Sequence, residues 1–298
     1  MKIAQFKDAT EYVWLVADHL FRLGHGGSPP QRQFVADADE AHQLALSGAC
    51  AVVGMSLDDV VTCSLANHEK APEITTFYGV LRGFLSLCAE AAVPDFKSLR
   101  GRVVAIDTYT GYASALFEIL EKQGLECETD FRVALAGATD LRFAKLLQGD
   151  FSATLLGAPF DLLVQEQGFH SLATVLEALG GYQGVVFSAH RCWLDNNAST
   201  ARHLTGVFAN ALIWASLPQN GPTLLQILGR GLPDSTSATT VARIADRLFG
   251  TRSEFCPDGA LCRSDLRGVL RLYAKYRKVD LRTYDLAKVI DQRFLSLI

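Results

Sequence analysis

Short β-branched runs alternate along this chain with segments of helical period that stop at glycine, and that alternation restricts its architecture more than any other feature. Lys2 to Phe6 is β-prone, and Glu11 to Leu23 sets Tyr12, Leu15, Val16, His19, Leu20 and Leu23 on one helical face. Gly24 to Pro30 is a Gly/Pro loop. Ala38 to Ser47 predicts a helix stopped at Gly48, and Ala49 to Met55 a continuously apolar strand of the kind buried on both faces. The rhythm continues through Ser56 to Asn67 (helix), Ile74 to Leu87 (apolar, β-branched at its start), Arg102 to Asp107 (strand), Tyr112 to Lys122 (helix ended by Gly124), Phe131 to Leu135 (strand), Thr139 to Gln148 (helix ended by Gly149) and Ala153 to Leu156 (strand). Such units with short connections predict mostly parallel α/β sheets. Beyond Gly180 one more strand, Tyr182 to Ala189, precedes helical segments at Thr200 to Leu217, Gly221 to Leu228, Ser237 to Leu248, Ser264 to Tyr276 and Tyr284 to Ile298. Alternation first and helices last predict two α/β lobes, with the chain returning to the first lobe and ending in a helical region.

Size and charge exclude whole classes of function. The 298 residues fit two domains of about 150. With 49% hydrophobic and 20% charged residues the chain is too apolar for intrinsic disorder. Its net charge of −4 supplies no positive field, so no nucleic-acid partner is expected. The apolar runs at Ala51 to Met55 and Leu204 to Leu217 fall short of the ~20 residues that span a bilayer. After Met1-Lys2, charges stand where a secretory signal has its apolar block, so no export signal is read. The seven cysteines form no regular framework, which suits a reducing, cytoplasmic compartment.

The most informative segment runs from Ser98 to Ser114. A strand enters a hydroxyl- and glycine-rich turn, Thr108-Tyr109-Thr110-Gly111, and a helix follows at once, so that free N–H groups and the Thr108 and Thr110 hydroxyls would converge on an anion. The alternative role of Thr110 is that of a helix N-cap. Gly54 to Asp59 repeats the architecture with Ser56, where Asp58 and Asp59 read as partners of the helix dipole. Leu156 to Asp161 gives a third turn at a strand's carboxyl end, where open α/β sheets bind ligands, although a proline such as Pro159 is also ordinary at a helix start. Tyr12, Trp14, Tyr78, Tyr109, Tyr112, Tyr182 and Trp193 lie near loop edges, where aromatic rings either sandwich a ligand or complete the core. The histidines and cysteines show no metal-ligand spacing, so no metal or cofactor is expected. Cys256 and Cys262 either close a loop or flank a solvent turn, and Gly-x-Ser-x-Gly is absent.

The run Phe96 to Ala105, the turn Thr108 to Gly111, Leu120 to Gly124, Arg142 to Ala153 and Pro159, together with Ala45 to Val52 followed by Ser56 and Asp59, resembles the solute-binding proteins of ABC importers for nitrate, sulfonates, taurine and thiamine precursors. Tyr182 to Trp193 is similar to that family's hinge return, and the likeness extends over about Ala9 to Leu217. The resemblance implies two doubly wound α/β lobes of the type II periplasmic-binding-protein kind, residues 1–77 plus 185–298 and residues 78–184, with a ligand cleft between them. It implies a small anionic or aromatic ligand, of sulfonate, nitrate, carboxylate or pyrimidine type, and an importer permease as partner. Carried over by position, the ligand contacts are Lys7, Asp8, Thr10 and Tyr12, then Ser56 and Leu57, Tyr78 and Gly79, then Thr108, Tyr109, Thr110, Gly111 and Tyr112, then Gly157 and Pro159, and Tyr182. Ala51 and Ser152 stand where the family carries aspartate. The resemblance also implies a periplasmic location, against the cytoplasmic reading above. An enzyme on the same fold, a decarboxylase or desulfinase-like lyase, is the alternative, with Cys63 or His68 as acid/base; the cysteine-rich motif of the family's pyrimidine synthases is missing and Cys192 stands alone in that region.

Overall fold

A computed structural model describes residues 1–66 and 73–295. Its elements in chain order are β1 (Lys2–Gln5), α1 (Ala9–Arg22), β2 (Gln31–Phe34), α2 (Ala38–Ser47), β3 (Val52–Ser56), α3 (Leu57–Leu65), β4 (Ile74–Gly79), β5 (Leu85–Ala89), β6 (Val103–Ile106), α4 (Ala113–Lys122), β7 (Arg132–Leu135), α5 (Thr139–Gln148), β8 (Ala153–Gly157), α6 (Phe160–Glu166), β9 (His170–Thr174), α7 (Val175–Leu179), β10 (Val185–His190), α8 (Arg191–Asn196), α9 (Ala198–Ser216), α10 (Gly221–Gly231), α11 (Ala238–Phe249) and α12 (Arg263–Arg277). Two five-stranded sheets form, β2-β1-β3-β10-β4 and β7-β6-β8-β5-β9. In each, one strand runs against the other four: β10 is antiparallel to β3 and β4, and β5 to β8 and β9. Each sheet with its flanking helices is called a lobe below.

Fully buried aromatic side chains fill the first lobe. Trp14 on α1 stacks near Phe187 of β10 and meets Phe208 of α9 edge-on at 4.9 Å, and its indole N–H donates to Gln5 Oε1 at 2.9 Å. Burial of such rings contributes about 3 kcal/mol apiece before entropy is counted.

Two neighbouring crossings join the lobes. The N–H groups of Val80 and Leu81 donate to Val185 O at 2.9 and 3.1 Å, Gly184 N–H to Leu81 O at 2.9 Å, and Gly83 N–H to Tyr182 O at 2.9 Å. A Cβ at Gly184 would lie 2.9 Å from Leu81 O, so the close approach of the two crossings requires glycine there. The C-terminal region reaches both lobes: α9 and α10 pack on α1, α11 touches α6, and α12 packs against both α3 and α4.

The strand and helix alternation is present as predicted, with three corrections. The apolar run Ile74 to Leu87 is two strands in two different sheets, because the chain leaves one sheet after Gly79 and turns at Gly83 with φ +51°. Tyr182 to Gly184 belong to the crossing and not to β10. The predicted helix from Tyr284 is absent over its described part. There Asp285 and Asp291 accept bonds from the N–H groups two residues on, a local alternative that competes with helix, and Thr76 donates its N–H to Val289 O and accepts the Asp291 N–H, which lays the chain along β4. Short β2, β9, α6, α7 and α8 add elements that periodicity did not resolve. Among the described residues no helix is long and apolar enough to cross a membrane.

Candidate functional site

The carboxyl ends of β1 and β3 in the first lobe face those of β6 and β8 in the second, and the helix starts that follow these strands carry most of the polar side chains between the lobes. Asp8 caps α1, its carboxylate accepting the Thr10 N–H at 2.8 Å. Ser56 and Asp59 form a reciprocal cap on α3, with Ser56 Oγ donating to Asp59 Oδ2 at 2.8 Å and accepting the Asp59 N–H at 3.1 Å. His42 on α2 brings Nε2 to 3.1 Å from Asp59 Oδ1. Asp58 accepts the Tyr182 hydroxyl at 2.9 Å, which ties the first lobe to the crossing. From the second lobe come Asp107 after β6, Gly111 and Tyr112 before α4, and Arg142 on α5.

The lobes touch across this space. A Cβ on Gly111 would stand 3.6 Å from Ser56 Oγ and 3.7 Å from Asp59 Oδ2, an ordinary contact distance, and the φ of +60° at Gly111 is what favours glycine there. Ala138 N–H donates to Ala36 O at 2.8 Å, a backbone bond from one lobe to the other.

Several polar atoms in this closed cleft have no partner: Thr10 Oγ1, Asp58 Oδ1, Asp107 Oδ1, Tyr112 OH and Arg142 Nε. Thr10 and Asp58 are each 1% exposed and Arg142 4%. Burial dominates the acid–base chemistry. It pushes Asp8 up to about 6 against the bonds from Thr10, and Asp107 up to about 7 against the attraction of Arg142. Asp58 is raised well above the usual carboxylate range by burial, with the Tyr182 bond opposing. Burial lowers Arg142, whose other nitrogens donate to Gly137 O, Thr139 Oγ1 and Leu155 O. For His42 burial works against the charge, but Asp59 outweighs it and the net shift is upward.

The sequence-predicted contacts divide into two groups. Asp8, Thr10, Ser56, Gly111, Tyr112 and Tyr182 come together here, and Leu57 lies beside them with its N–H on Gly184 O at 3.3 Å. The others serve elsewhere. Lys7 is exposed. Tyr12 donates to Gly231 O at 3.2 Å, Tyr78 to Pro257 O at 2.8 Å, and Gly79 N–H to Gly259 O at 2.8 Å, all holding C-terminal segments. Tyr109 is 49% exposed. The Thr108 and Thr110 hydroxyls bond each other at 2.7 Å, and Thr110 does not cap α4, which starts at Ala113 with no side-chain cap. Gly157 packs under the Phe84 ring and Pro159 precedes α6, its carbonyl accepting the N–H groups of Leu162 and Leu163.

Sequence reasoning missed His42, Asp107 and Arg142 and gave Asp58 and Asp59 only a dipole role. Arg142 left a usable trace: it falls between Thr139 and Leu146 at helical spacing, on the stripe of α5 that faces the sheet. Cys63, the candidate acid/base of the enzyme reading, is buried and its thiol is pushed up to about 12. His68 lies outside the described residues. All seven cysteines are free, Cys256 and Cys262 included, and among the described residues no three His, Cys, Asp or Glu side chains converge as metal ligands.

Comparison with known proteins adds the fold family. No family model matches the chain, and no curated protein matches it in sequence. Solved structures match over almost its whole length. The ligand-binding component of an ABC-type import system from Staphylococcus aureus, with zinc bound, superposes with a TM-score of 0.75 at 11% identity, covering 99% of this chain and 97% of the other. The periplasmic nitrate-binding protein of Synechocystis gives 0.73 at 15% identity over 97% and 84%, and the periplasmic aliphatic sulphonate-binding protein of Escherichia coli 0.69 at 16% over 98% and 92%. The chain therefore has the periplasmic-binding-protein fold.

Proposed function

We propose that this protein captures a small molecule between its lobes as the solute-binding component of an ABC importer. The observation that carries the reading is the convergence of unpartnered polar atoms from both lobes, Thr10 and Asp58 on one side and Asp107, Tyr112 and Arg142 on the other, at the carboxyl ends of the strands. A buried donor or acceptor left unmade costs about 1–3 kcal/mol, and a ligand that met several of them at once would recover that cost on closure. The two crossings at Val80–Phe84 and Gly180–Gly184 serve as the hinge, so that the first lobe runs to Gly79, two residues beyond the bound the resemblance implies, and resumes at Val185, with residues 85–179 as the second. The importer's permease would then read the closed form. The neighbours' roles in nitrate and sulphonate binding support the binder reading more than any particular ligand.

The test is a thermal-shift panel of sulfonates, aromatic carboxylates, pyrimidines, amines and nitrate, with each stabilising compound then recovered and weighed by mass spectrometry. Recovery of an intact compound supports capture. A compound returned lighter by carbon dioxide or a sulfur oxide overturns the non-catalytic reading.

A further inference from the structure

Across most of this protein the buried or half-buried carboxylates are paired with cations. Glu11 meets Arg32 at 3.0 Å, Asp265 meets Arg82 at 2.5 Å, Glu118 meets Lys275 at 2.8 Å, and Glu254 meets Arg247 at 2.7 Å. The interlobe cleft breaks that practice. Asp8 is held only by Thr10 and Asp58 only by the Tyr182 hydroxyl, and neither has a cation within ion-pair distance among the described residues. Asp59 takes His42 for itself, and the Arg142 NH groups are spent on two carbonyls and a hydroxyl. With Asp107 the carboxylates number four, and the basic groups that face them are His42, which lies on Asp59, and Arg142, of which only Nε is left unpartnered.

We propose that the cleft selects an organic cation, a small molecule with a protonated amine or amidine nitrogen that seats on Asp58 Oδ1 and Asp8. This deepens the binder reading above and rests on it. Buried charges persist when paired, and an N–H donor from the ligand completes Asp58, whose Oδ1 is otherwise unpartnered at 1% exposure. A metal ion is the wrong cation, because no three ligating side chains converge among the described residues. Aromatic rings border this seat: Tyr112 packs edge-on against Phe84 at 5.4 Å and tilted against Tyr182 at 6.0 Å, and its hydroxyl sits in the combined field of Asp8, Asp58, Asp59 and Arg142. Thr10 Oγ1 and Tyr112 OH remain to accept further N–H groups.

The experiment uses the full-length protein, stripped of co-purified small molecules by unfolding and refolding, and measures melting temperature and calorimetric affinity against charge-matched pairs. Benzamidine, tyramine and putrescine form one set, and benzoate, benzenesulfonate and nitrate the other. Small molecules released from the protein as first purified are identified by mass spectrometry alongside. Stabilisation by members of the cationic set, lost by more than tenfold in affinity in Asp58→Asn while the ligand-free variant melts no lower than the parent, supports the proposal. Asp8→Asn, which retains a capping side chain, gives the same readout if Asp58→Asn fails to fold. Stabilisation by the anions alone, or an anion as the released compound, overturns the cation proposal and leaves the binder reading standing. No shift with either set and no released compound overturns both.

Discussion

The two lobes repeat one strand order, with β7, β6, β8, β5 and β9 standing where the other has β2, β1, β3, β10 and β4, yet they bring unlike side chains to their shared edge. In the first lobe α1, α2 and α3 all start with a side chain bonded to the helix end, from Asp8, Asp37 and Ser56 with Asp59. In the second lobe α4, α5 and α6 start at Tyr112, Ala138 and Pro159 with no side-chain cap. Uncapped helix starts leave N–H groups without a side-chain acceptor, and an edge with three carboxylates, Asp8, Asp58 and Asp59, closes upon one that carries Asp107 and Arg142. A topology can be duplicated while the site it frames is divided into two unlike halves.

The sharpest way to break this contrast is to remove the second lobe's buried cation. Arg142→Leu should cost about 3 kcal/mol in urea unfolding, since it strands Gly137 O and Leu155 O and takes away the positive charge that faces Asp107. A loss well under 1 kcal/mol would show that Arg142 does not organise the edge.

Next comes the C-terminal bridge, which holds the lobes together away from the cleft. Glu118 on α4 accepts from Lys275 at 2.8 Å and from the Tyr276 hydroxyl at 2.9 Å, both on α12. Glu118→Gln should lower stability by about 1 kcal/mol, allowing for the exposure of Lys275, and should increase the radius of gyration of the ligand-free protein in small-angle scattering. An unchanged scattering profile would mean that α12 does not restrain opening.

The pH dependence separates the two regions by sign. The raised carboxyls of the cleft, Asp8 at about 6 and Asp107 at about 7, bind protons more tightly folded than unfolded, so the ligand-free protein should gain stability as pH falls from 8 towards 5. Glu118, held below the usual range mainly by Lys275 and Tyr276 against burial, contributes stability above the unfolded carboxylate range that is lost as pH falls through its folded value. Melting curves should therefore rise and then fall on acidification. Asp107→Asn should flatten the rise and stabilise the ligand-free protein at pH 8 by about 1 kcal/mol; an unchanged rise would remove Asp107 from it.

The smallest effect is expected at the turn that looked most like a site in the sequence. The Thr110 hydroxyl bonds Thr108, so Thr110→Val should shift stability by no more than about 0.5 kcal/mol and change ligand affinity less than Asp58→Asn does.

The legible part of the fold was the part encoded locally. The helix at Ala38–Ser47 and the helix at Thr139–Gln148 end at Gly48 and Gly149, both in the left-handed region, and the apolar strands were readable from composition alone. The division of Ile74 to Leu87 between two sheets was not readable, because both halves are equally apolar and only the partner strands distinguish them. In the candidate site, the resemblance points to Asp8, Thr10, Ser56 and Tyr182, which the fold brings together. Asp58 and Asp59 were seen, but a carboxylate in a first helical turn has an ordinary capping use whether or not anything lies opposite.

Local sequence determines where helices start and stop, since caps, glycines and hydrophobic period act within one or two turns. The meeting of Gly111 with Ser56 and Asp59, the engagement of Tyr182 with Asp58, and the turning away of Tyr12 and Tyr78 towards the C-terminal segments were decided only by the tertiary structure. The reason is physical: whether a carboxylate is solvated, paired or left wanting a cation depends on what the opposite lobe places within a few ångströms of it, and those neighbours lie fifty to more than two hundred residues away in the chain.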